Sequence, residues 1–124
     1  MKIFEIIETD SLSDYTTFVL TEQKGGWAVS QTSVYKRALK KYSKESRVIR
    51  PLEKLLSFIE QYDHNPPPIR DYPQEFNVHL LLEHSVYGRT LWAHIMGSRI
   101  GLIFKVFPGE IHLMCLGTHE DCKV

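Results

Sequence analysis

Apolar and polar positions along this 124-residue chain change their period from helix-like to strand-like. From Ser33 onward, Val34, Tyr35, Ala38, Leu39 and Tyr42 recur at three- and four-residue spacing, which gathers them on one stripe of a helix. Ser33 is the expected cap. After a break at residues 43–46, Pro51 reads as a first-turn residue of a second helix with Leu52, Leu55, Leu56 and Ile59 on one side. Two short helices so closely joined predict an αα-hairpin. Residues 63–73 contain Pro66, Pro67, Pro68 and Pro73 and predict a rigid loop. Residues 91–96, 100–107 and 110–116 then read as strands, separated by the turn signals Gly97-Ser98 and Pro108-Gly109. Residues 79–82 read as an earlier edge strand.

The first quarter carries weaker signals. Residues 2–8 (KIFEIIE), 16–20 (TTFVL) and 27–30 read as short extended segments, with Lys24-Gly25-Gly26 as a turn before the last. The predicted fold is α+β: an antiparallel sheet of three to five strands, a two-helix hairpin packed on one face, and an N-terminal extension. A single domain is expected, with residues 1–26 as the extension and 27–124 as the core.

Composition adds an ordinary globular balance, 43% hydrophobic and 24% charged residues. The start of the chain lacks the pattern of a secretory signal, and no apolar run approaches the length of a membrane span. The expectation is a cytoplasmic protein without membrane contact. Cys115 and Cys122 form no disulfide framework, and their spacing with His119 matches no standard zinc pattern, so neither metal nor cofactor is expected. The net charge of zero conceals an asymmetry. Residues 1–23 hold Lys2 against five acids, whereas Lys36, Arg37, Lys40, Lys41, Lys44, Arg47 and Arg50 crowd into fifteen positions. Dense like charge calls for a counter-anion, and phosphate is the natural one. A solvated helix face accounts equally well for the charge alone.

A basic helical hairpin, a proline-bearing loop, a histidine, then Ala93-His94-Ile95, the strand Gly101-Leu102-Ile103-Phe104-Lys105, and a last strand ending in Gly117-Thr118-His119 form a connected series. Over residues 27–124 this series resembles the RelE superfamily of toxin endoribonucleases, in particular its histidine-dependent YafQ-like branch. It departs from that pattern in three places. The first histidine is flanked as Val78-His79-Leu80-Leu81 rather than Asp-His-x-Leu. Ser98, Arg99 and Ile100 stand where an Asp-Trp pair is usual, and Lys123 stands where an aromatic residue often closes the chain.

The resemblance implies an mRNA-cleaving toxin acting on the ribosome and neutralised by a cognate antitoxin. Metal-independent RNA cleavage needs a base for the 2′-hydroxyl, an acid for the departing 5′-oxygen, and cations for the phosphate charge. Histidine titrates near neutrality and suits both proton-transfer roles. His94, His119 and His79 are therefore the expected catalytic residues, with His84 a competitor for the role of His79. His64 and His112 are expected to be incidental. Lys36, Arg37, Lys40, Lys41, Lys44 and Arg99 are the expected RNA-binding cations, and Trp92 an RNA-stacking aromatic. Phe104 is expected in the core. The rival reading is a protein of the same fold, similar to the ParE branch, that lacks nuclease activity and binds another target such as a topoisomerase. A nucleic-acid-binding regulatory module is the third.

Overall fold

A computed structural model of the chain describes residues 19–24, 26–81 and 90–122. The helical stripe becomes α1 (Ser33–Lys41), and its cap lies one residue earlier than the sequence suggested. Thr32 adopts the extended conformation, and its Oγ1 accepts the Tyr35 N–H at 3.1 Å. The same hydroxyl donates to the Met114 carbonyl at 2.6 Å, so one buried side chain both starts the helix and ties it to the sheet. The second helix, α2 (Ser46–Glu60), begins before Pro51 rather than at it. Pro51 is consequently its sixth residue and cannot donate to the Arg47 carbonyl one turn back. The earlier start adds Val48 to the buried stripe of Leu52, Leu55 and Ile59.

Among the described residues six strands form one sheet: β1 (Val19–Lys24), β2 (Trp27–Gln31), β3 (His79–Leu81), β4 (Thr90–Met96), β5 (Ile100–Phe107) and β6 (Glu110–Gly117). Their spatial order is β1-β2-β6-β5-β4-β3. The α+β class and the β4–β5–β6 meander agree with the sequence reading, while the sheet has one strand more than expected and is mixed. β2 runs parallel to β6: after β2 the chain passes through both helices and the proline loop, re-enters the sheet at its far edge as β3 and returns through β4 and β5. Strand β1 falls inside the stretch read as an extension, yet pairs with β2 as a sheet member. The strand expected at residues 2–8 lies outside the described residues, as do residues 16–18.

Both helices cover one face of the sheet. Trp27, Tyr35, Leu52, Leu55, Phe104 and Leu113 belong to the main core there. The proline loop crosses the same side, anchored by buried Tyr72, whose ring lies 5.1 Å from Phe58 and 6.1 Å from Phe104. Phe104 is thus a core residue, as expected. His64 has a structural role the sequence did not reveal. It sits at φ 61°, donates from Nε2 to the Gly26 carbonyl at 3.1 Å, and accepts the Gly109 N–H on its own carbonyl at 2.9 Å. One residue thereby joins the β1–β2 turn, the loop after α2 and the β5–β6 turn.

The opposite face carries a smaller cluster of Trp92, Ile103, Met114, Cys115 and Cys122, with Val34 and Leu81 against it. Two irregularities shape that face. Register shifts between His94 and Met96 on β4, so Ile95 and Met96 both pack towards the helices and the alternation expected from Trp92 through Met96 stops at His94. A second shift leaves Met114 unpaired between Leu113 and Cys115.

Candidate active site

Strand register places the histidines. On the helix-free face, His79, Trp92, Ile103 and Cys115 form one row across β3, β4, β5 and β6. The next row on that face is His94, Gly101 and Gly117. His79 and His94 are therefore diagonal neighbours, their ring centroids 6.1 Å apart. The two glycines beside His94 leave a trough of bare backbone. Trp92 leans into it over Gly101, where a Cβ would come within 2.1 Å of the indole, and Asp121 closes it over Gly117.

His119 reaches the same place through the turn that follows β6. Asp121 Oδ2 accepts the Thr118 N–H at 3.2 Å, while Thr118 Oγ1 accepts the Asp121 N–H at 3.0 Å. This reciprocal pair has the form of a capping box, T-x-x-D. A further bond from Cys122 N to the Thr118 carbonyl at 3.0 Å completes the turn. Cys122 is buried beneath it in the cluster with Trp92, Ile103 and Cys115, so a side chain pins the turn to the sheet. Within this frame His119 lies on Trp92, ring centroids 4.6 Å apart and planes within 20° of parallel.

The three expected catalytic histidines thus meet on one face, and their settings differ. His94 is half-buried, and its pKa is lowered, first by burial, then by the neighbouring His79 and His119. His79 is exposed, and its Nδ1 lies 2.9 Å from the Asn77 carbonyl. A carbonyl only accepts, so Nδ1 carries the proton and Nε2 of neutral His79 is left as an acceptor. His119 is exposed at the lip of the site. The competitor His84 lies outside the described residues.

The cations divide into two sets. Arg37 and Lys41 line a cavity of about 250 Å³ between α1 and the turn bearing His119, together with Cys115, Leu116 and Asp121. Lys36, Lys40 and Lys44 are exposed. Arg99 is exposed in the β4–β5 turn, its backbone N–H bonded to the Met96 carbonyl. Arg47 and Arg50, part of the basic cluster but not among the expected RNA-binding cations, line a second hollow with Ile95, Met96 and Gly97 beside that turn. Their signal was the i, i+3 spacing at the start of α2.

Trp92 requires a correction. It is 1% exposed, seated on Gly101 and covered by His119, so it has no open ring for an RNA base. The thiols are equally enclosed. Cys122 is pushed well above the usual thiol range, chiefly by its hydrogen bond with Cys115 and then by burial. Among the described residues no group of three or more His, Cys, Asp or Glu side chains is arranged to hold a metal ion.

No family model matches the sequence, and no curated protein matches it. Solved structures do match the fold. A mutant of YafQ from E. coli superposes with a TM-score of 0.59 at 17% identity, covering 76% of this chain and 94% of YafQ. The toxin in the E. coli DinJ–YafQ toxin–antitoxin complex gives 0.57 at 18% identity, covering 77% and 94%. A copper-bound mutant toxin from Helicobacter pylori gives 0.54 at 18% identity, covering 75% and 94%. The chain has the fold of the YafQ-like toxins. Among the described residues, no helix is long and apolar enough to cross a membrane.

Proposed function

We propose that this chain is an endoribonuclease toxin that cuts mRNA on the ribosome by metal-independent acid–base catalysis and is neutralised by a cognate antitoxin. The observation that carries the reading is the convergence of His79, His94 and His119 on the helix-free face, with His94 biased towards its neutral form. The fold shared with YafQ, which is known in complex with DinJ, supports the toxin and antitoxin parts. Ribosome dependence is the same likeness carried one step further.

In this mechanism neutral His94 takes the proton of the 2′-hydroxyl, assisted by the acceptor nitrogen of His79. The 2′-oxygen attacks phosphorus, the bond from phosphorus to the 5′-oxygen breaks, and His119 delivers a proton to that leaving oxygen. The products are a 2′,3′-cyclic phosphate and a 5′-hydroxyl. Arg37 and Lys41, lining the cavity beside the His119 turn, supply positive charge near the substrate backbone. Initial cleavage rates test the pair. His94→Ala and His119→Ala should each lower the rate by about 10²-fold or more, and the double variant by much less than the product. Wild-type rates in both single variants would overturn the histidine pair, whereas no cleavage by the wild-type protein would leave the non-nuclease reading, which Ser98 and Arg99 in place of the Asp-Trp pair favour.

A further inference from the structure

Trp92 is among the largest fully buried side chains, and it lies on the helix-free face, away from the main core. Its place depends on Gly101, because any larger residue there would put a Cβ 2.1 Å from the indole Cζ2 and force the ring out. Ile103, the partner of Trp92 on β5, belongs to the same small cluster. The surface this creates is occupied by His119, stacked at 4.6 Å. Among the described residues, no hydrogen bond holds the His119 imidazole. Bonds from the Thr118 and Asp121 N–H groups to each other's side chains fix the turn, but they leave the His119 ring free to rotate about its side-chain bonds. The indole is the contact that restricts that rotation.

The geometry points to Trp92 as the positioning residue for His119, acting as an aromatic platform that fixes the imidazole plane on the face that carries His94. This rests on the acid–base reading above, in which His119 is a catalytic group. Trp92 touches no substrate and acts through His119. Gly101 is part of the same device, since its missing side chain is what lets the indole lie flat.

Ring-current shifts give a readout independent of activity. In the wild-type protein the His119 ring protons, assigned with His119→Gln, should resonate upfield of those of an exposed histidine. Trp92→Phe should retain much of this displacement, whereas Trp92→Leu and Gly101→Val should abolish it, each checked for folding by amide dispersion. In RNA cleavage, Trp92→Leu and Gly101→Val should lower kcat by about 10-fold or more with KM nearly unchanged, bounded by the loss in His119→Ala. Trp92→Phe should recover most of kcat. Adding Trp92→Leu to His119→Ala should cost nothing further. His119 shifts unmoved by Trp92→Leu would overturn the platform, whether or not the protein cuts RNA. Full activity in Trp92→Leu beside an inactive His119→Ala would overturn this inference alone. Full activity in His119→Ala would overturn His119 as the acid of the proposed reaction and this inference with it, and no cleavage by the wild-type protein would overturn the nuclease reading itself.

Discussion

His94 shows how a single position is tuned by its neighbours. Burial disfavours its cation, and His79 and His119 add like-charge repulsion when protonated. An imidazole whose pKa is lower folded than unfolded binds its proton less readily in the native state. The unfolded chain then holds more proton between the folded value and ~6.5, so stability rises with pH across that window. This contribution is complete above ~6.5 and is lost as pH falls towards the folded value. Urea unfolding midpoints from about pH 5 to about pH 8 should therefore drop less on the acid side for His94→Gln than for the wild-type protein. Parallel curves for the two proteins would show that His94 does not sense its neighbours. The same bias keeps His94 available as a base below the pH at which an ordinary histidine is half protonated.

At the scale of elements, the site is built by departures from regularity. The meander was legible because its turns carry Gly97-Ser98 and Pro108-Gly109 and its strands are mostly apolar. The helices were legible from their spacing, apart from the caps. Ser33 and Thr32 are equally good capping residues, and only the bond from Thr32 to Met114 selects between them. The two register shifts were not legible, because a bulge depends on the partner strand. They decide that His94 stays on the helix-free face while Met96 leaves it. Trp92 was misread for a related reason: its fate depends on Gly101, nine residues away in sequence and adjacent only after β4 and β5 pair. The turn holding His119 did have a sequence signal in Thr118-His119-Glu120-Asp121. His64 had none, since its partners Gly26 and Gly109 lie in two distant turns. Gly26 has φ 87°, and a Cβ there would stand 2.5 Å from His64 Nε2. Gly26→Ala should accordingly destabilise the protein by about 1–2 kcal/mol through backbone strain, with more from the displaced His64. Thermal unfolding measures it, and an unchanged Tm would mean that this junction does not contribute to stability.

Across the whole molecule, the sheet separates two tasks. One face is committed to the main core with α1, α2 and the proline loop, and stability resides there. The other carries a small apolar cluster with the histidines at its border, and α1 brings Arg37 and Lys41 to the same end. The proposed chemistry thus lies away from the main core. In the proposed function this histidine-bearing face cleaves mRNA on the ribosome. Its most direct test is the chemistry of fragment ends after the purified protein is added to ribosomes programmed with a defined mRNA. Fragments should end in 2′,3′-cyclic phosphate and begin with 5′-hydroxyl, and should be absent when the His94→Ala/His119→Ala double variant replaces the wild-type protein. Intact mRNA under the wild-type protein, or the same fragments from the double variant, would contradict it.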